Sequence, residues 1–305
     1  MSETLISVRN LCRRYGTVQA VTDTNLSVSK GSIVGLLGTN GAGKTTLIRL
    51  LMGHLYPDSG TVEVLGTNPR KHTAQTRQRV AYVSERMELP GRMCLNDVLK
   101  LNRQFFPKWN VELATQLTKE FDIDPRARLS RLSLGQKRRA VLLQAICQSA
   151  DLLILDEPFS GLDAIFRRQC LDMLMTVAID YGQTILVSSH LLNDVERLVD
   201  RVALMKQGTV FQTGDLEQLK ARMRMVRVPG ELNSLPELPV SDVRVFGNRT
   251  TRGETKFVLD GYSDDMQQSL VTTFGDNIRV EHMNLEDIFV ELSSDNSGQS
   301  KGSVI

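Results

Sequence analysis

Short, nearly continuous apolar runs recur through residue 213: SIVGLL (32–37), RVAYVS (79–84), DLLILD (151–156), QTILVSS (183–189) and RVALMK (201–206). Runs of this length with little polar alternation predict strands covered on both faces, the habit of a parallel sheet. Between them, TTLIRLLMGHL (45–55), LSLGQKRRAVLLQAIC (132–147), FRRQCLDMLMTVAIDYG (166–182) and HLLNDVERLV (190–199) repeat their apolar positions at helical spacing. Strand and helix in alternation predict an α/β domain. The opening stretch is different. SVRNLCRRYGTVQAVTDTNLSVSKG (7–31) alternates by twos and carries turn residues, which predicts a small antiparallel layer flanking the main sheet.

Residues 86–131 break the alternation. MCLNDVLKLNRQFF (93–106) and NVELATQLTKEFDI (110–123) predict two helices joined by a turn at Pro107, a helical insertion between strands. The aromatic cluster FFPKW (105–109) is read as local packing. The pattern changes again after residue 222. MVRVPG, DVRVFG and TKFVLDG predict strands, and DDMQQSLVTTFG and NLEDIFVELS predict helices. The domain reading is therefore 1–222 for the α/β part, 223–293 for a small α+β domain, and 294–305 for a polar, disordered tail.

Composition narrows the class. The 305 residues are 41% hydrophobic and 24% charged, with a net charge of +2. That supports a sizeable core and gives no pull toward nucleic acid. Cys12, Cys94, Cys147 and Cys170 form no CxxC pair, so reduced thiols are expected rather than zinc or disulfides. No run reaches the ~18 apolar residues that a membrane helix needs. The N-terminus lacks the layout of a signal peptide. If the protein works at a membrane, another chain supplies the spans.

The chemistry concentrates at three places. Gly38, Thr39, Asn40, Gly41, Ala42, Gly43, Lys44 and Thr45 follow the pattern of Gly, four residues, then Gly-Lys-Ser/Thr, with Thr46 next. The stretch leaves a predicted strand and opens a predicted helix, which is the context a phosphate loop requires. Its glycines let backbone N–H groups converge on phosphate oxygens, and the helix N-terminus adds positive potential. Lys44 is placed to reach the β- and γ-phosphates, and Thr45 to reach Mg²⁺. In LLILDEP (152–158), Asp156 ends a buried strand, where ligands gather in α/β sheets. One carboxylate there can hold hydrated Mg²⁺ together with Thr45. Glu157 follows as the strand ends. It can aim elsewhere and orient or deprotonate the water attacking a γ-phosphate. His190 ends a third strand, either as a structural residue or as a γ-phosphate contact that steadies Glu157. Tyr15, in RRYG, either packs in the small β layer or stacks on a purine. A second glycine-containing loop, LSLGQ (132–136), precedes a basic helix but has no lysine.

These parts together resemble the nucleotide-binding subunits of ABC transporters over residues 5–222. The phosphate loop 38–45, the signature LSLGQ, the acidic strand 152–157, SGLD (160–163) and His190 occur in the family's order and spacing. The resemblance implies a P-loop NTPase sheet with an antiparallel β subdomain and a helical insertion, plus the small C-terminal domain. It places Tyr15 at the adenine-stacking position. It also explains the second loop: Ser133, Gly135 and Gln136 are implied to touch ATP held by a partner subunit, and Asp163 to lie at the dimer seam. Two departures stand out. The usual LSGGQ has Leu134 at its centre here, and Glu85 takes the place of a Gln that senses Mg²⁺, water and the membrane subunit. Glutamate can still ligate or bridge Mg²⁺.

YVSE, DEPFSGLD and SSHLLNDVERLVDRVALMKQG are similar to a bacterial exporter branch that includes members of acetoin-use and envelope-stress operons. NLEDIFVEL (284–292) is similar to the C-terminal helix of drug- and polysaccharide-exporter ATPases. The resemblance implies an ATPase using ATP and Mg²⁺. Its implied partners are a membrane-spanning permease and a second cassette, identical or related, and no nucleic acid. Its implied place is the cytoplasmic face of the membrane, held through the permease. An ABC ATPase doing mechanical or signalling work on the envelope, or a soluble one, remains an alternative.

Overall fold

The structure, a computed structural model, describes residues 3–86, 89–231, 243–251, 253–263 and 265–294. The chain divides into two compact units, Met1–Thr213 and Gly214–Ile305.

In chain order the first unit comprises β1 (Thr4–Tyr15), β2 (Val18–Ser29), β3 (Ile33–Leu37), α1 (Lys44–Leu51), β4 (Ser59–Val64), α2 (Ala74–Arg77), β5 (Val80–Val83), α3 (Leu95–Phe105), α4 (Val111–Glu120), α5 (Leu134–Cys147), β6 (Leu152–Asp156), α6 (Ala164–Tyr181), β7 (Thr184–Ser189), α7 (Leu192–Val195), β8 (Arg201–Lys206) and β9 (Thr209–Asp215). Six strands form the main sheet in the order β5-β6-β7-β3-β8-β9. The pairs β5–β6, β6–β7, β3–β7 and β3–β8 are parallel. β3, β6 and β7 are buried along their whole length, so their apolar runs reflect two covered faces.

The antiparallel layer has three strands, in the order β2-β1-β4. Sequence reading found β1 and β2 but not β4, whose SGTVEV is mostly exposed and begins with turn formers. This layer is tied to the main sheet beside the phosphate loop. The buried Thr24 hydroxyl donates to the Gly208 carbonyl at 2.9 Å, and the Thr22 N–H donates to the same oxygen at 2.8 Å. The Gly208 N–H in turn donates to the Ala42 carbonyl at 2.8 Å.

α3 and α4 form the helical insertion and lie against α5. Asn102 donates to the Gln144 side chain at 3.1 Å, and Arg139 donates to the Phe121 carbonyl at 2.9 Å. Arg139 also covers the Phe166 ring, and Phe121 meets that ring edge-on, which joins the insertion to α6. FFPKW does not pack as one cluster. Phe105 is 58% exposed, and Lys108 reaches Asp151 at 2.8 Å. The helix expected over 190–199 is only the four-residue α7. Ser189 Oγ accepts the Leu191 N–H at 2.9 Å, a local turn that competes with helical pairing and delays the start.

The second unit takes up the end of β9, then α8 (Leu216–Arg222), β10 (Met223–Pro229), β11 (Arg244–Thr251), β12 (Glu254–Asp260), α9 (Met266–Phe274), β13 (Arg279–His282) and α10 (Leu285–Ser294). Its antiparallel sheet runs β11-β12-β10-β13. Val226, Val228, Phe257, Leu259, Met266 and Leu270 make its core. The boundary falls before α8 rather than after residue 222, because α8 runs directly into β10 and packs on it. The tail expected beyond α10 lies outside the described residues.

Backbone contacts explain two glycines of the phosphate loop. A Cβ on Gly38 would stand 2.2 Å from the Met205 carbonyl oxygen. Gly43 adopts φ 105, and a Cβ there would stand 2.3 Å from the Ala20 carbonyl oxygen. Gly43→Ala is therefore expected to destabilise the first unit by at least about 1–3 kcal/mol, the usual cost of such backbone strain. Urea unfolding measures this, and an unchanged midpoint would show that the loop shifts freely.

Candidate functional site

Three strand ends build the site. β3 leads into the loop Gly38–Gly43 and α1, β6 ends in Asp156 and Glu157, and β7 ends just before His190. The parallel register pairs Leu37 with Ser189 and Asp156 with Ser188, which holds the three ends level.

Lys44, the first residue of α1, is only 5% exposed. Its Nζ donates to the Gly38 carbonyl at 2.7 Å and the Thr39 carbonyl at 3.2 Å. It also stands 3.1 Å from Glu157 Oε1, an ion pair not aligned as a hydrogen bond. A buried ammonium needs such a partner, since removing either charge leaves the other uncompensated. Glu157 Oε2 lies 2.8 Å from His190 Nδ1. Glu157 itself takes φ 49, a left-handed backbone that side-chain-bearing residues rarely adopt. Its carboxylate meets Lys44 and His190, whereas that of Asp156 meets Thr45 and Ser188.

Asp156 is 1% exposed. Its Oδ1 accepts from the Ser188 hydroxyl at 2.8 Å and the Thr45 hydroxyl at 3.3 Å. Its Oδ2 is buried with no hydrogen-bond partner. Burial pushes its carboxyl pKa up, the Ser188 and Thr45 hydroxyls oppose this, and the charges of Glu157 and Glu85 raise it further. The orphaned oxygen beside a threonine hydroxyl fits a hard divalent cation that keeps most of its water. Among the described residues no group of three His, Cys, Asp or Glu side chains is arranged to hold a metal.

A cavity of about 680 Å³ opens on these groups. Asn40, Gly41, Ala42, Gly43, Lys44, Thr45 and Thr46 form one wall. Glu85, Glu157, Ser160 and His190 form another, and Val18, Gln19, Ala20 and Gln207 complete the rim. Gly38 and Thr39 serve it indirectly, through the carbonyls that hold Lys44. Tyr15 is 42% exposed and pairs with Val18 across the β1–β2 hairpin, next to that rim.

The signature residues stand outside this cavity. Ser133 Oγ accepts the Gln136 N–H at 3.2 Å, and Gln136 Oε1 accepts the Ser133 N–H at 3.0 Å. This reciprocal cap starts α5, with Ser133 and Leu134 exposed and Gly135 half-buried. Asp163 caps α6 by accepting the Phe166 N–H at 2.9 Å, and that bond lowers its carboxyl pKa. Arg167 then binds both the Leu162 carbonyl and Asp194, linking the turn before α6 to α7.

Sequence reading missed Ser188 and Gln207, and gave Ser160, inside SGLD, no role of its own. Ser188 matters most, because its hydroxyl donates to Asp156 and accepts the Glu157 N–H at 2.9 Å. Its signal was a serine where a fully buried strand calls for an apolar residue.

Residues 21–160 match the family described as ABC transporter. The bacitracin transport ATP-binding protein BcrA of Enterococcus faecalis is 34% identical over 226 residues, covering 73% of this chain and 73% of that protein. The Nod factor export ATP-binding protein I of Burkholderia lata is 29% identical over 295 residues, covering 94% of this chain and 96% of that one. A solved structure of the ATP-binding subunit of an ABC transporter is 27% identical with a TM-score of 0.64, covering 71% of this chain and 92% of that one.

The raised pKa of Asp156 carries a stability consequence. A carboxyl whose folded pKa lies above its unfolded value, ~3.9 for aspartate, withdraws stability as pH rises through the folded value. At neutral pH its charge is a net cost to folding. Asp156→Asn is thus expected to raise Tm at pH 7.5 in EDTA, read by calorimetry. A lowered Tm would show that the hydroxyl contacts outweigh burial.

Proposed function

The chain belongs to the ABC transporter family as an ATP-binding, ATP-hydrolysing subunit, and from that premise we propose that two copies of it close on two ATP molecules to drive a separate membrane permease in export. The observation that carries this reading is the meeting of Lys44, Thr45, Glu157 and His190 around one cavity, with Asp156 buried behind Thr45 and the signature residues of the same chain outside it. Each copy brings a complete phosphate loop and a complete signature, so a two-fold pair completes two equal sites. Export is favoured by the full-length similarity to a protein named for Nod factor export. Among the described residues no helix is long and apolar enough to cross a membrane; the proposal places this subunit at the cytoplasmic face of the membrane, against the permease.

The loop backbone from Asn40 to Thr46 wraps the phosphates, and Lys44 exchanges its contact with Glu157 for the γ-phosphate. Thr45 and Asp156 would hold Mg²⁺, with Glu85 on the same rim, and the ion would supply neutralising charge to the phosphate oxygens. Glu157, released from Lys44, orients the attacking water and accepts its proton, while His190 fixes the carboxylate from the far side. Tyr15 stacks on the adenine. Ser133, Gly135 and Gln136 of the second copy meet the phosphates from across the seam, where the Asp163 turns face each other.

Glu157→Gln is expected to bind ATP while turnover falls about 10²- to 10⁴-fold, and to accumulate as a closed dimer. Wild-type turnover in that variant would remove Glu157 from the mechanism. Lys44→Ala is expected to weaken ATP binding about 10- to 100-fold, the worth of one charge-assisted hydrogen bond. Calorimetric titration checks this, and an unchanged Kd would contradict the phosphate-loop role.

A further inference from the structure

Asp58 lies outside the cavity, yet it fastens the strand that carries Tyr15. It sits between α1 and β4. Its Oδ1 accepts from Arg13 Nη1 at 2.8 Å, and its Oδ2 accepts the Arg14 N–H at 2.7 Å. Its own N–H donates to the Cys12 carbonyl at 2.9 Å. Three consecutive residues before Tyr15 are thereby tied to one aspartate. The tie is needed here because the β1–β2 ladder is irregular at this point, with register shifts between Leu11 and Arg13 and between Arg13 and Arg14. Such irregularities bend and re-aim a strand, while Arg14 and Tyr15 still pair with Gln19 and Val18. The guanidinium of Arg13, held by Asp58, lies 5.1 Å from the centre of the Tyr15 ring, within cation–π range. One face of the ring is therefore occupied by Arg13, while the side chain stays 42% exposed.

We propose that Asp58 is a positioning residue for purine recognition: it holds Arg13 against one face of Tyr15, so that the other face is presented to the adenine. The proposal rests on the reading of Tyr15 as the stacking residue. Asp58 is half-exposed, and an ion pair of that exposure adds little to stability. The ion pair with Arg13 therefore bears on base binding rather than on folding, and Asp58→Asn keeps a side-chain oxygen that can accept the Arg14 N–H.

The test compares the full chain with Asp58→Asn, Arg13→Gln and Tyr15→Ala by titration with ATP and with inorganic tripolyphosphate, which has no base. Tyr15→Ala is expected to raise the Kd for ATP about 5- to 100-fold, the range that base–aromatic stacking supplies. Asp58→Asn and Arg13→Gln are expected to raise it by a part of that, about 3- to 10-fold. Neither changes tripolyphosphate binding, and Tm stays close to wild type. If Tyr15→Ala weakens ATP binding but the other two variants do not, the role of Asp58 is overturned and the stacking reading stands. If Tyr15→Ala leaves ATP binding unchanged, both fall. Equal weakening of ATP and tripolyphosphate by Asp58→Asn would reveal a general distortion and overturn the proposal.

Discussion

One ammonium and two carboxylates lie buried at the edge of a parallel sheet. Lys44, Asp156 and Glu157 are 5%, 1% and 8% exposed. Charges this deep are tolerated only when matched, and the strand order supplies the matches. β7 runs between β3 and β6, so Ser188 can donate to Asp156 and accept from the Glu157 N–H. The left-handed turn at Glu157 then separates the two carboxylates. One faces Lys44 and His190, the other faces Thr45. The excess negative charge and the orphaned Asp156 oxygen suit a cation, whose charge would offset that of a phosphate chain.

The same constraint decides what could be read beforehand. β3, β6 and β7 were legible because both faces are covered, which writes an unbroken apolar run into the sequence. The phosphate loop was legible because backbone approach to Met205 and Ala20 demands glycine at Gly38 and Gly43. β4 was not legible, since its residues face solvent and its pairing with β1 is a long-range contact. The domain boundary was placed after residue 222, since nothing local separates residues 216–222 from β9. The roles of Ser188 and Asp58 depend on partners 32 and 45 residues away, and such partners leave no periodicity. Ser133 and Gln136 were noted for a partner's nucleotide, whereas their reciprocal cap on α5, visible as Ser-x-x-Gln, went unnoticed.

That cap has a consequence for how the chain works. With their side chains turned toward each other, Ser133 and Gln136 hold the start of α5 rigid, and the exposed Leu134 projects beside them. A preorganised helix start of this kind meets an anion at little entropic cost. The cavity lined by Lys44 does not include the signature residues. Under the proposed function a single copy would hold two incomplete halves, and hydrolysis would be a property of a pair.

The most direct measurement is ATP hydrolysis by a mixture of two defective chains, Lys44→Ala and Ser133→Arg. Each alone forms only damaged sites. A mixed pair joins the intact phosphate loop of one to the intact signature of the other. The predicted result is two inactive preparations that regain roughly a quarter of the wild-type rate when mixed equally, because random pairing leaves one good site in half of the dimers. A mixture as inactive as its components, or full activity from Ser133→Arg alone, would contradict the shared site.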